Sequence, residues 1–137
     1  MKTFLLISLF AVLLISGCNG MNAVIDPRIV DRLGGAWSGA LDYTPSGGVV
    51  TPMTLQFEPL SHYYMKGQMT IGSTIYADNF LDQVDDTILI NFPVPTASWE
   101  LILEGKLTTP TKFEGDVIRR EAGTDDVALG TFSATHA

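Results

Sequence analysis

The residues able to do chemistry are few, and they are scattered. Asp78, Asp82, Asp85 and Asp86 crowd one link, and Asp125-Asp126 sit in another. Several carboxylates in one loop are what a hard cation such as Ca²⁺ needs, but this spacing matches no EF-hand loop. Asp is also common in turns, because its carboxylate bonds the local backbone. Solvated turns are therefore expected, with no metal. His62-Tyr63-Tyr64 offers a binding edge or, more simply, strand-end packing. No carboxylate pair is predicted to share a cleft, as glycoside chemistry would require. Ser, Thr and His are present, yet nothing resembles a nucleophile turn. Arg119-Arg120 is too short a basic run to recruit an anion alone. No catalytic residue, cofactor or enzymatic reaction is expected.

Composition narrows the classes further. The chain has 137 residues, with 8 Lys and Arg against 15 Asp and Glu. An acidic chain without a basic patch is a poor ligand for nucleic acid, whose phosphates must be neutralised. A single cysteine, Cys18, excludes an intramolecular disulfide. The length suits one small domain.

The first 17 residues carry one charge, Lys2, and Phe4 to Ile15 is apolar except for Ser8. About 12 apolar residues are too few to cross a hydrocarbon core of roughly 30 Å, but they suit a secretory signal. Ile15-Ser16-Gly17-Cys18 then resembles the lipobox of bacterial lipoproteins: an aliphatic residue, two small ones and a cysteine. The resemblance implies that residues 1–17 are removed, that the Cys18 thiol carries a diacylglyceryl group, and that its new amino group is acylated, as by palmitate. Two or three acyl chains anchor stably where one would not. Asn19, where Asp commonly retains such proteins in the inner membrane, implies an outer-membrane protein facing the periplasm.

The elements that would position these side chains follow from turn signals and periodicity. Residues 18–25 read as a tether and 26–137 as a single domain. Asp26-Pro27 starts a helical turn, since Asp can cap and Pro suits the first helical position; Gly34-Gly35 stops it. From Ala36 onward the pattern has period two. Eight strands are predicted: Ala36–Thr44, Val50–Phe57, His62–Thr70, Thr74–Phe80, Thr87–Phe92, Ser98–Leu107, Thr111–Arg119 and Val127–Thr135. One buried face per strand and short links, including Asp82–Asp86, indicate antiparallel hairpins. The expected fold is all-β, an up-and-down barrel of about eight strands that hides its edges by closing. Gly39, Gly67, Gly105 and Gly115, each preceded by a polar residue and followed two residues on by an apolar one, fit tightly curved strands.

Gly35-Ala36-Trp37, after the helical turn and opening the first strand, resembles the Gly-x-Trp signature of lipocalins and related calycins. The resemblance implies a tryptophan plugging one barrel end. Those families often stack an Arg from the last strand on it, whereas this chain ends Gly130-Thr131-Phe132-Ser133-Ala134-Thr135-His136-Ala137. Trp37, Tyr43, Leu55, Phe57, Trp99, Leu101 and Phe113 are the candidate lining of an apolar pocket, unless they simply fill the interior. Tyr43 is the expected polar handle. The functional expectation is a lipid-anchored envelope module that binds or interacts. Its alternative is a carrier or sensor of a small apolar ligand. The partners expected are the membrane, through the N-terminal lipid, and an apolar ligand or an envelope protein.

Overall fold

The computed structural model describes residues 24–77 and 81–137. Cys18, the apolar run before it that reads as a signal, Asp78 and Phe80 lie outside the described residues. The first element among the described residues is helix α1 (Pro27–Leu33), capped as its sequence predicts: the Asp26 carboxylate accepts the Arg28 N–H at 2.9 Å, and Pro27 occupies the first turn. Ile25, Val30 and Leu33 are buried from this segment, so one side of the helix packs down and the other faces solvent.

Nine strands follow: β1 (Gly35–Asp42), β2 (Val50–Pro59), β3 (Met65–Ile71), β4 (Thr74–Ala77), β5 (Asp82–Val84), β6 (Thr87–Pro93), β7 (Trp99–Thr109), β8 (Lys112–Glu121) and β9 (Val127–His136). All pairings are antiparallel, in the order β4-β3-β2-β1-β9-β8-β7-β6-β5. Chain neighbours pair with each other except β4 with β5, and β1 also pairs with β9, from Trp37 opposite His136 to Asp42 opposite Thr131. The result is a curled, up-and-down antiparallel barrel. Its two edges, β4 and β5, are consecutive in the chain. Leu81, just before β5, still donates its N–H to Met65 O on β3 at 3.0 Å. The chain thus leaves β3 for β6 within one descending segment, which brings the edges together.

Two expectations need correcting in detail. The third strand begins at Met65 rather than His62, because residues 60–64 close a turn in which Leu60 and Ser61 donate to Tyr64 O. The Asp82–Asp86 link contains β5 and a two-residue turn, Asp85-Asp86, with Asp85 at φ 55°. A short polar side chain tolerates that left-handed conformation, so an acidic pair can close the hairpin.

The core lies inside the curl. Leu41, Met53, Met69, Ile90, Phe92, Leu103 and Val117 are buried there with the aromatic residues described below. Their partners one residue along, such as Thr54, Gln56, Lys66 and Gln68, are exposed, as period two requires. Ile102 breaks the pattern. It is buried on the outer face, opposite Asn91 and Ile118.

Candidate functional site

The barrel has two unlike ends. At one, α1 lies against the strand ends and Trp37 stands beneath it, fully buried, its indole N–H donating to Leu33 O at 2.8 Å. Gly35 turns the chain from helix into strand at φ 110°, a conformation that disfavours any side chain. A Cβ there would also stand 3.1 Å from the His136 ring. That ring meets Trp37 edge-on at 4.9 Å between centroids, and its Nε2 lies 3.0 Å from Gly34 O. A histidine at the end of the last strand therefore packs on the tryptophan, and the sequence reading had given it no role.

Five of the seven candidate lining residues pack into one core. Phe113 meets Trp37 at 6.2 Å, Phe57 at 5.9 Å and Phe132 at 5.2 Å, all in edge-to-face geometry. Leu55 and Leu101 are buried in the same cluster. Gly105 makes room for the rings: a Cβ on it would stand 2.5 Å from Phe132 Cζ and 2.8 Å from the Phe113 ring. At Gly39 and Gly115 a Cβ would overlap the carbonyl of the facing strand. The helix end of the barrel is thus filled by its own aromatic residues.

Tyr43 and Trp99 behave differently. Both face inward at the opposite end, and both are only half-buried. Ile71, Tyr76 and Leu129 join them, half-buried and packed on the top of the core. These five side chains line the mouth. Tyr43 follows β1, with its N–H bonded to Val49 O at 3.2 Å. Burial raises the pKa of its hydroxyl, and the facing Tyr76 raises it further, so Tyr43 stays a neutral donor. On the far wall the Arg119 guanidinium lies 4.7 Å above the Trp99 ring. Arg119 also donates to Glu121 at 3.2 Å, and Ser98 Oγ donates to the same carboxylate at 3.1 Å. The cation is thereby neutralised and Trp99 is held in place.

The remaining candidates are engaged locally. Arg120 points outward, away from Arg119, and forks onto Asp126 at 3.1 and 2.9 Å, so the two arginines form no patch. The Asp82 carboxylate accepts the Gln83 N–H at 2.7 Å, and Asp86 lies 3.4 Å from Lys106 Nζ. Among the described residues no three His, Cys, Asp or Glu side chains converge on a point. His62 is exposed, with its ring edge-on to Tyr63 at 6.5 Å.

Sequence reasoning missed Ile71, Tyr76 and Leu129. Tyr76 sits on a predicted strand, but its inward phase follows from its pairing with the buried Met69, which only the structure supplies. Leu129 gave no signal either. Between Val117 and Ile118 the β8–β9 register shifts by one residue, and this bulge turns Leu129 inward against strict alternation.

Neither a family model nor a curated protein matches the chain in sequence. Solved structures do resemble it in shape. A redesigned β-barrel, b11L5F_LGL, superposes with a TM-score of 0.59 at 19% identity, covering 80% of this chain and 96% of that one. EF1p2_mFAP2b, in a structure bound to DFHBI, gives 0.57 at 17% identity over 82% of this chain and 100% of the other. A protein of unknown function of the DUF3598 family from Nostoc punctiforme gives 0.52 at 9% identity; 85% of this chain covers 51% of that protein. At such identities the likeness establishes the fold alone, a small antiparallel β-barrel.

Proposed function

We propose that this protein is a lipid-anchored β-barrel of the bacterial cell envelope that binds a small apolar or aromatic molecule at its mouth. The observation that carries the reading is the contrast between the two ends. One is sealed by α1 and ring-on-ring packing, whereas the other offers half-buried Tyr43, Ile71, Tyr76, Trp99 and Leu129 above a finished core. A shallow aromatic rim bearing the hydroxyls of Tyr43 and Tyr76 suits a flat, mostly apolar ligand and disfavours sugars and nucleotides. That a similar barrel is bound to DFHBI supports the same use of the fold. A deep carrier cavity is the weaker alternative, since Trp37, Phe57 and Phe113 already occupy one another's space.

The anchor part of the reading rests on Cys18 and the apolar run before it. Cys18→Ala should leave the protein unprocessed or release it from membranes. An unmodified Cys18 by mass spectrometry, in a wild type that fractionates as soluble, would refute it. The binding part is tested by titrating a lipophilic dye while following the dye's own emission, and fatty acids by displacement of that dye. Saturable binding tighter than about 100 μM, roughly −5.5 kcal/mol, is expected. It should weaken at least about tenfold in Trp99→Ala and in Tyr76→Ala, the loss of about 1.4 kcal/mol. If no ligand saturates in that range, the mouth is not a small-molecule site, and the module would act through an envelope protein.

A further inference from the structure

Exposed apolar side chains lie at both barrel ends. At the helix end Val24 is 62% exposed, Leu60 46% and Tyr63 51%. They form one face, because Ile25 donates its N–H to Tyr63 O at 2.8 Å and Leu60 donates to Tyr64 O at 2.8 Å, so the start of the domain lies along the 60–64 turn. At the mouth Val49, Val50 and Val127 are similarly exposed. Exposure alone does not say which end is covered. The chain before the domain does.

Cys18 precedes Val24 by the six residues Asn19 to Val24, which reach about 21 Å at most when fully extended. Strand β7 has 11 residues; at roughly 3.3 Å per residue and a tilt of about 40°, the barrel stands about 28 Å tall. An anchor at Cys18 therefore holds the helix end near the bilayer, and the mouth lies beyond the reach of the tether unless the barrel lies on its side. We propose that Val24, Leu60 and Tyr63 sit in the headgroup layer of the membrane that holds the anchor, so that the barrel stands helix end down and presents its mouth to the aqueous side. This placement rests on the lipid-anchor reading above. Tyrosine suits the position, with its ring among the acyl boundary and its hydroxyl in water. Of the charges near this face, Arg28 is paired with Asp26 and Lys66 with Glu58, while the exposed Asp31, which borders Leu60, has to stay at the level of the polar headgroups.

The test uses the full chain, expressed with its signal, purified from membranes in detergent and reconstituted into vesicles of dibrominated phosphatidylcholine, whose bromines quench nearby indoles. In a Trp99→Phe background, Tyr63→Trp and Val49→Trp place one reporter at each end, and Trp37 gives the common baseline. Beyond that baseline, Tyr63→Trp should lose most of its added emission and Val49→Trp almost none. Adding Val24→Ser and Leu60→Ser should restore the emission of Tyr63→Trp while the protein still floats with the vesicles. Flotation without quenching at either site, equal quenching at both, or quenching at Val49→Trp alone would overturn the orientation and leave the anchor standing. Failure to float would remove the anchor, and the orientation with it.

Discussion

His136 shows how one residue at a chain end can couple the helix, the first strand and the last. Its Nε2 faces Gly34 O at 3.0 Å and its Nδ1 faces Ala137 O at 2.9 Å. Only the imidazolium can donate to both carbonyls at once, so these two contacts raise its pKa, Gly34 the more. A raised folded-state pKa means stability that is fully present below the unfolded value, about 6.5, and lost as pH rises through the folded value. The melting temperature of wild type should therefore fall between about pH 6 and pH 8 relative to His136→Gln. Parallel pH profiles for the two proteins would show that the ring contributes by packing alone. Its neighbour Trp37 is fully buried and bonded to Leu33 O, so Trp37→Ala should cost about 3–5 kcal/mol in denaturant unfolding. A loss under about 1 kcal/mol would mean that the aromatic cluster closes over the gap.

At the scale of elements, α1 stabilises the barrel only through the side it buries. Seven residues make too short a helix to persist alone, so its packing must hold it. Leu33 is fully buried and Val30 nearly so. Leu33→Ala should cost about 2–5 kcal/mol, and limited proteolysis should then cut before Gly35 in an otherwise folded protein. If stability drops without new cleavage, the helix stays docked and the loss comes from a cavity. The link to the rest of the sheet is polar: Gln83 Oε1 accepts the Asp26 N–H at 2.7 Å and its amide donates to Asp85 O. One side chain on the shortest strand thus joins the helix start to the β5–β6 turn.

For the whole molecule, closure through β1 and β9 leaves only the β4 and β5 edges, which meet where Leu81 bonds to β3. A sheet with so little free edge has small reason to pair with a second copy. The chain lacking residues 1–23 should sediment as a monomer and give a β-type far-UV spectrum. A helical spectrum would refute the fold, and a stable dimer would mean that the β4–β5 seam or the valine-lined mouth pairs in solution.

What the amino-acid order determined by itself was local. Period-two alternation placed Trp37, Leu55, Phe57, Leu101 and Phe113 on inward faces, and all five are buried. Turn residues separated the strands, and Asp26-Pro27 and Gly34-Gly35 bounded the helix, because capping and backbone freedom act within a few residues. Whether those inward residues enclose a pocket or fill it was beyond reach, since that depends on distances across the barrel. The structure decided it by standing Phe113 and Phe132 over Gly105. The mouth was likewise tertiary. Tyr43 and Tyr76 come from β-segments three strands apart in the sheet, and Leu129 faces inward only because a bulge shifts its register. Strand pairing brings such residues together, and no local preference encodes which strand ends share a rim. The same holds for His136 on Trp37: each lies at a strand end, and only the β1–β9 pairing makes them neighbours.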